Sequence, residues 1–300
     1  TVSETVPGAP VTSPDTAVTT EDTAVSIDVL ANDSDPDGDT LSVTAATASN
    51  GTVVINSDGT LGYTPNSNFN GTDTIAYTVS DGGLTTTGSV TVTVTSVNDA
   101  PTLVTALADQ STTEDSAYSF TLPSGTFSDV DGDALTYSAT LNDDSALPAW
   151  LSFNTETRIF SGTPLNSHVG SITVKVTAAD GSASVSDSFT LTVANSNDAP
   201  TAIALSSAPV DENSAGAVVG TLTTTDVDAG DSHTYSLSGT DAGSFEVVGG
   251  QLKLKAGVTA DYETKTSYSV TVTVTDGAGA SSSEAFSVAV TNLPDAVTGQ

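Results

Sequence analysis

A short acidic motif recurs three times along the chain, at intervals of roughly 97 residues. It reads DPDGD at 35–39, DVDGD at 129–133 and, with one inserted residue, DVDAGD at 226–231. A repeat of this length in a chain of 300 residues predicts three domains, each large enough to bury a core of its own. The repeat therefore predicts a tandem array of similar units.

Alternating apolar and polar residues indicate that these units are built from strands. Thr, Val and Ser dominate segments such as 40–45, 88–96, 170–178 and 268–276, in which apolar residues alternate with polar ones. Asn-Gly and Asp-Gly pairs separate such segments at short intervals. This pattern predicts an all-β chain of three tandem antiparallel β-sandwich domains in an extended array, each an Ig-like Greek key of about seven strands.

The tetrapeptide NDAP, at 98–101 and again at 197–200, marks the junctions between units. Its proline restricts the backbone and forces an extended entry into the next unit. Junctions this short predict that neighbouring domains nearly touch. The absence of methionine, even at position 1, is typical of an internal segment of a longer protein. We therefore place domains at 9–98, 99–197 and 198–295, with linker remnants at 1–8 and 296–300.

The chain is strongly acidic, with 37 acidic residues against five basic ones and a net charge of −32. It lacks the lysine and arginine needed to neutralise the phosphates of nucleic acids, and anionic membranes are poor partners for the same reason. No apolar run is long enough to insert into a membrane. Cysteine is absent, which excludes a disulfide framework. Multivalent cations are therefore the expected counter-charge.

Each acidic motif has acidic companions at matching positions, and the whole set predicts a metal site. A glutamate precedes every copy and a single aspartate follows every copy: Glu21, Glu114, Glu212, Asp81, Asp180 and Asp276. Two carboxylates in a D-x-D pattern at a strand end point to one side, and a following glycine allows a tight bend. Calcium takes six to eight oxygen ligands of this kind. Two histidines without any cysteine are unsuitable for soft metals.

Neither an EF-hand nor ordinary turn chemistry accounts for the whole acidic pattern. An EF-hand fails because position 12 of its loop would be Thr44 and because strands flank the motif. Turn chemistry, in which Asp and Asn cap the backbone, can account for a single residue. It does not account for the shared register of the whole set, which favours the calcium interpretation.

The three units resemble repeats of the cadherin superfamily. Unit two resembles the dystroglycan-type cadherin-like repeat through LPAWLSFNTETRIFSGTP at 147–164. Unit one resembles the tandem cadherin-like repeats of large bacterial, RTX-type surface adhesins through TEDTAVSIDVLANDSDPDGD at 20–39 and FNGTDTIAYTVSDG at 69–82. Unit three is similar to a cadherin repeat in four motifs: DEN at 211–213, D-x-D at 226–228, DYE at 261–263 and TDG at 275–277.

This resemblance implies calcium ions between consecutive domains, roughly two or three at each internal joint. The ligands it implies at the first joint are Glu21, Asn98, Asp99, Asp129, Asp131 and Asp180, with Asp133 as a weaker candidate. Those at the second joint are Glu114, Asn197, Asp198, Asp226, Asp228 and Asp276, with Asp231 as a weaker candidate. Half of a third joint would hold Glu212, Asp261, Glu263, Asn292 and Asp295. Half of a joint before domain 1 would hold Asp35, Asp37 and Asp81.

The function that the resemblance implies is a calcium-rigidified extender or stalk of a bacterial cell-surface adhesin. Its partners would be calcium and the neighbouring repeats of the same longer chain, and the segment would be a monomer outside the cell. No enzyme is expected, since no nucleophile–base pair accompanies the carboxylates. The alternative is a calcium-dependent binding module for a glycan, another surface protein or a second copy, with residues 239–251 as its candidate loop.

Overall fold

The computed structural model of the chain describes residues 6–294. Strands dominate, and within that range the helical elements are two 3-10 turns, Asn166–His168 and Ala242–Ser244. The predicted all-β class with three tandem sandwich domains is confirmed. No helix in the described range has the length and apolarity to cross a membrane. Residues 1–5 and 295–300, which include Asp295 and most of the expected linker remnants, lie outside the described residues.

The first domain consists of a four-stranded and a three-stranded sheet that share one core. Its strands are β1 (Asp15–Thr20), β2 (Val25–Ile27), β3 (Ser42–Thr47), β4 (Gly51–Ile55), β5 (Leu61–Pro65), β6 (Gly71–Ser80) and β7 (Thr85–Thr95). The strand orders are β1-β7-β6-β3 and β2-β5-β4. Alternate residues of β5, β6 and β7 point inward, so Tyr63, Ile75 and Val92 are fully buried.

The second domain also consists of a four-stranded and a three-stranded sheet, and it adds a two-stranded sheet. Its strands are β8 (Thr102–Leu103), β9 (Gln110–Thr113), β10 (Tyr118–Thr121), β11 (Phe127–Ser128), β12 (Thr136–Leu141), β13 (Leu151–Asn154), β14 (Ile159–Gly162), β15 (Gly170–Ala179) and β16 (Ser184–Ala194). The strand orders are β12-β15-β16-β9, β10-β14-β13 and β11-β8. Phe160 and Phe189 meet edge to face in the core, with ring centroids 5.6 Å apart.

The third domain pairs two four-stranded sheets. Its strands are β17 (Ala202–Leu205), β18 (Val210–Asp211), β19 (Val218–Thr225), β20 (Thr234–Ser238), β21 (Phe245–Val248), β22 (Gln251–Leu254), β23 (Ser267–Thr275) and β24 (Ser281–Thr291). The strand orders are β17-β19-β22-β21 and β18-β24-β23-β20. Residues 239–251, expected as a loop, form a 3-10 turn and β21 instead, because Phe245 is buried in the core and Asp241 pairs with Lys265.

Each domain contains one parallel strand pair, which the expectation of antiparallel sandwiches did not include. The pairs are β1 with β7, β9 with β16, and β18 with β24. A glutamate directly follows the first strand of each pair, and its backbone N–H donates to the last strand: Glu21 to Thr95 at 3.0 Å, Glu114 to Ala194 at 3.0 Å and Glu212 to Thr291 at 3.2 Å. Because both strands run towards the same end, the glutamate lies beside the point where the chain leaves the domain.

The D-x-D motif and the single aspartate lie at the opposite end of the domain. β11 ends just before Asp129 and β19 just before Asp226, while β15 and β23 end just before Asp180 and Asp276. β15 and β23 run antiparallel to the last strands of their domains. Consecutive domains therefore bring the glutamate end of one against the D-x-D end of the next.

A buried carboxylate connects the two sheets of the first domain. Asp73, which is 3% exposed, accepts hydrogen bonds from the Tyr63 hydroxyl at 2.9 Å and from the backbone N–H groups of Asn50 at 2.9 Å and Thr74 at 2.8 Å. Burial by itself raises the pKa of Asp73, but these hydrogen bonds outweigh it and hold the pKa below its usual value. The stabilisation is present above the usual aspartate pKa and is lost as pH falls through the lowered value.

Replacing Asp73 by Ala is expected to lower the free energy of unfolding of the first domain by about 3 kcal/mol, because the buried Tyr63 hydroxyl and two backbone N–H groups lose their acceptor. Urea denaturation at neutral pH in the presence of calcium measures this loss. The matched control is Asp58→Ala, which removes an exposed turn aspartate of the same domain. Equal losses in the two variants would contradict the structural role of Asp73.

Candidate metal centres at the domain joints

The first joint, where domain 1 meets domain 2, gathers acidic side chains from both domains and from the linker. Carboxylate oxygens of Glu21, Asp99 and Asp131 lie within 4.8 Å of one another. Asp129, Asp131 and Asp133 form a second group of the same size. Asp131 belongs to both groups, so the two form one continuous cluster that includes Asp133, the weaker candidate.

The second joint, where domain 2 meets domain 3, repeats this arrangement. Glu114, Asp198 and Asp228 form one group with oxygens within 4.8 Å of one another. Asp226, Asp231 and Asp276 form the other. These groups draw on three separate parts of the sequence at the first joint and on four at the second.

The linkers hold the two sides together through three repeated hydrogen bonds. The backbone N–H of the linker aspartate donates to the second D-x-D carboxylate, Asp99 to Asp131 at 2.8 Å and Asp198 to Asp228 at 2.7 Å. The side-chain amides of Asn98 and Asn197 donate to Asp180 at 3.1 Å and to Asp276 at 2.9 Å. The residue before each asparagine donates its N–H to the glutamate, Val97 to Glu21 at 2.5 Å and Ser196 to Glu114 at 2.8 Å.

Several carboxylate oxygens at the joints are buried and have no hydrogen-bond partner. They are Glu21 Oε2, Asp99 Oδ2 and Asp129 Oδ2 at the first joint and Glu114 Oε2 at the second. Glu21 is 3% exposed and Glu114 is 1% exposed. A buried anionic oxygen without a donor is costly unless a cation satisfies it. A hard cation that prefers oxygen ligands, such as calcium, fits this donor set.

Burial and the crowding of negative charge raise the pKa of the linker aspartates. Burial raises the pKa of Asp99, and the carboxylates of Asp131 and Glu21 raise it further. Burial and the charges of Asp115 and Asp228 raise the pKa of Asp198 in the same way. Like charges that cannot separate make each linker aspartate harder to ionise. A bound cation would remove this repulsion.

The single aspartates are held as anions by hydrogen bonds. Backbone N–H groups of Ala183 and Ser182 and the Asn98 amide lower the pKa of Asp180. The Asn197 amide is the main cause of the lowered pKa of Asp276, and together with the turn N–H groups it outweighs the opposing effect of burial. One oxygen of each carboxylate accepts these turn bonds, and the other faces the linker asparagine. Both side chains are therefore fixed in position.

Two carboxylates near the joints were not among the site residues predicted from the sequence. Asp22 and Asp115 follow the joint glutamates directly and raise the pKa of the linker aspartates Asp99 and Asp198. Both have left-handed backbones, with φ of 51° and 56°, as does Asn213 in domain 3, with φ of 62°. Asp and Asn tolerate this conformation better than other non-glycine residues. Their recurrence after every glutamate was the signal that could have found them.

His233 is a further residue that the sequence did not assign to the second joint. Its Nε2 lies 2.9 Å from Asp226 Oδ2, and its side chain is 19% exposed. This hydrogen bond is the main cause of the lowered pKa of Asp226. The corresponding oxygen of Asp129 in the first joint has no partner. The two joints are therefore chemically different at this position.

The outer ends of the array differ from each other. In domain 3, Glu212, Asp261 and Glu263 form a group with oxygens within 4.8 Å, and the Asn292 amide donates to Glu263 at 3.3 Å. At the other end, Asp35, Asp37 and Asp81 form no such group within residues 6–294. There the backbone N–H of Gly8 donates to Asp37 at 2.7 Å, so glycine takes the place of a linker aspartate.

Three family models match successive parts of the chain. They are a bacterial Ig domain at 7–93, a putative Ig domain at 100–194 and a cadherin domain at 206–291. No curated protein matches the chain in sequence.

Solved cadherin structures share the fold along almost the whole chain. EC22-24 of mouse cadherin-23 aligns with a TM-score of 0.62 at 18% identity, covering 95% of this chain and 100% of that one. Extracellular cadherin domains 1-4 of protocadherin gamma B7 align with a TM-score of 0.57 at 18% identity, covering 95% and 76%. The protocadherin gamma B4 extracellular domain gives 0.63 at 17% identity, covering 95% and 50%, so the chain spans half of its length. At these identities the likeness concerns the fold alone.

The matches refine the resemblance seen in the sequence. The cadherin resemblance of unit three is confirmed, and units one and two match Ig-domain models. The dystroglycan type of unit two and the RTX-type origin stay predictions, as do the domain boundaries. The chain thus consists of a bacterial Ig domain, a second Ig-like domain and a cadherin domain in tandem.

Proposed function

We propose that the chain is a calcium-rigidified extender segment of a bacterial cell-surface adhesin, in which ions at the two internal joints fix the angles between domains. One observation carries this proposal: each internal joint draws carboxylates from two domains and a linker, and buried oxygens there have no donor. The cadherin and Ig matches support it, since these are structural and adhesion domains. It assigns the chain no catalytic activity.

The residues that would hold the ions are those of the two acidic groups at each joint. Two groups support about two ions per internal joint, the lower end of the expected range. Glu21, Asp99 and Asp131 would hold one ion at the first joint, and Asp129, Asp131 and Asp133 the other. The second joint would use its equivalent groups, and a repeat that followed domain 3 would complete the group at Glu212. Calcium would supply the positive charge that these carboxylates lack.

The mechanism depends on which elements carry the ligands. Glu21 extends a parallel strand pair of domain 1, whereas Asp129 and Asp180 follow strands of domain 2. These three ligands are therefore attached to rigid sheets. Without a cation, like charges at the joint repel one another and weaken the attachment between the domains. Shared coordination would replace this repulsion with attachment on both sides and so set the interdomain angle.

The proposed setting follows from this role. An extender acts outside the cell, where millimolar calcium keeps weak sites occupied. Its partners would be calcium and the neighbouring repeats of the same chain, and the segment would be a monomer. The match of unit one to a bacterial Ig domain supports a bacterial surface.

Replacing Asp131 by Ala is expected to weaken calcium binding at the first joint only, because Asp131 belongs to both groups there. Titration calorimetry on the whole chain should show a loss of about two bound ions. Asp143→Ala, at an exposed turn of the same domain, is the matched control and should bind like the unaltered chain. Unchanged stoichiometry for Asp131→Ala would rule out the assignment of the first joint.

A further inference from the structure

The two internal joints differ in the side-chain amides that reach them. At the second joint, Asp228 Oδ1 accepts hydrogen bonds from the amides of Asn195 at 2.9 Å and Asn166 at 3.3 Å, both on the domain 2 side. Its Oδ2 accepts the backbone N–H of Asp198 at 2.7 Å. Asp228 is 6% exposed. Three donors, from a strand end, a loop and the linker, therefore hold one carboxylate of domain 3.

The first joint has no equivalent of these amides. Ser96 stands two residues before the linker asparagine, where the second joint has Asn195. Ser67 stands four residues before the long strand β6, as Asn166 does before β15. The Ser67 hydroxyl donates to its neighbour Asn68 at 3.3 Å instead. Within residues 6–294, the N–H of Asp99 is the one donor to the Asp131 carboxylate.

The difference in side-chain amides has its largest effect on the attachment between domains when no ion is bound. An amide N–H that donates to a carboxylate makes a charge-assisted hydrogen bond and offsets part of its negative charge. At the second joint, two such bonds link domain 2 directly to Asp228 of domain 3. At the first joint, domain 1 has no side-chain donor to Asp131 among the described residues. The glutamate adds a negative charge at both joints, so the amides are what distinguishes them. Both joints share the linker amide bond, Asn98 to Asp180 and Asn197 to Asp276. Only the second joint adds side-chain amides that hold the second D-x-D carboxylate without a cation.

We propose that Asn166 and Asn195 are positioning residues that hold Asp228 against domain 2 without calcium, so that removal of calcium frees the first joint and leaves the second aligned. The role of calcium rests on the proposed function, whereas the difference between the metal-free joints does not. The array would then bend at one defined place, between domains 1 and 2, when calcium falls.

The test uses pairs of spin labels on the whole chain, which has no cysteine of its own. Thr91→Cys with Ser138→Cys spans the first joint, and Ser138→Cys with Ser287→Cys spans the second; all three positions are exposed. Double electron–electron resonance then gives the distance distribution in calcium and in EDTA. We expect EDTA to abolish the narrow peak across the first joint and to preserve it across the second.

The matched variant gives the second joint the residues of the first, as Asn166→Ser with Asn195→Ser. We expect this variant to lose the narrow peak across the second joint in EDTA and to regain it in calcium. Circular dichroism checks its fold, and both side chains lie outside the core. The proposal is overturned if EDTA broadens both joints of the unaltered chain alike, or if the double variant stays narrow. If calcium failed to narrow the first joint of the unaltered chain, or the second joint of the double variant, the proposed function would be overturned instead.

Discussion

Removing calcium from the intact chain is expected to lower its melting temperature by about 10–20 °C. A ligand that binds only the folded state at a hundred times its Kd stabilises that state by about 2.7 kcal/mol per site. For a domain of roughly 100 residues, each kcal/mol corresponds to about 4–8 °C. The effect should be this large because the metal-free joints leave Glu21 Oε2 and Glu114 Oε2 buried without a partner.

Thermal unfolding followed by circular dichroism, in excess calcium and in excess EDTA, measures this difference. Magnesium at the same concentration is the control, because its strict octahedral geometry and reluctance to lose water suit these sites poorly. We expect magnesium to recover only a small part of the stability. Melting curves that superimpose in calcium and EDTA would contradict the account.

The substitution Glu114→Gln is expected to change stability in opposite directions with and without calcium. In calcium, the loss of an anionic ligand should weaken binding at the second joint by at least about tenfold, equivalent to about 1.4 kcal/mol. In EDTA, the same change removes a negative charge beside Asp198 and Asp228. Glutamine can still accept the N–H of Ser196, so the metal-free chain should become more stable.

Calcium titration and thermal melts of the same variant in both buffers measure this reversal of sign. The matched control is Glu284→Gln, at an exposed position on β24 and in none of the acidic groups, which should behave alike in both buffers. If Glu114→Gln were destabilising by the same amount in EDTA as in calcium, the side chain would have a purely structural role.

The candidate sites could be predicted from the sequence wherever a residue kept its register in all three units. Glu21, Asp129 and Asp180 each have counterparts at matching positions, and at the two internal joints the structure brings these residues together. The parallel pairing that places Glu21 there could not be predicted, because β1 shows the same alternation whichever partner it has. Strand pairing depends on tertiary packing rather than on local pattern.

Joint residues that differ between the units could not be predicted, because they do not recur at matching positions in the repeat. Asn166 and Asn195 replace serines of the first unit, and His233 is the only histidine near an acidic motif. Their roles follow from contacts with Asp228 and Asp226 that only the fold creates. The sequence repeat predicts the residues that the joints have in common, and the structure adds the residues by which the joints differ.

Asp35, Asp37 and Asp81 were predicted as the incomplete half of a joint before domain 1, and they form no group of their own within the described residues. The other joints add a glutamate and a linker aspartate from outside the D-x-D loop. Gly8 occupies the linker position here and brings no carboxylate. An acidic motif of this kind is therefore one part of a site rather than a complete one.

Small-angle X-ray scattering across a calcium titration tests the central claim most directly, since it measures the shape of the whole chain in solution. If ions at the joints fix the interdomain angles, calcium should sharpen the distribution of interatomic distances and increase the maximum dimension at constant molecular mass. A rise in mass would indicate self-association and favour a binding module. Identical scattering profiles in calcium and in EDTA would contradict the claim that calcium sets the arrangement of the domains.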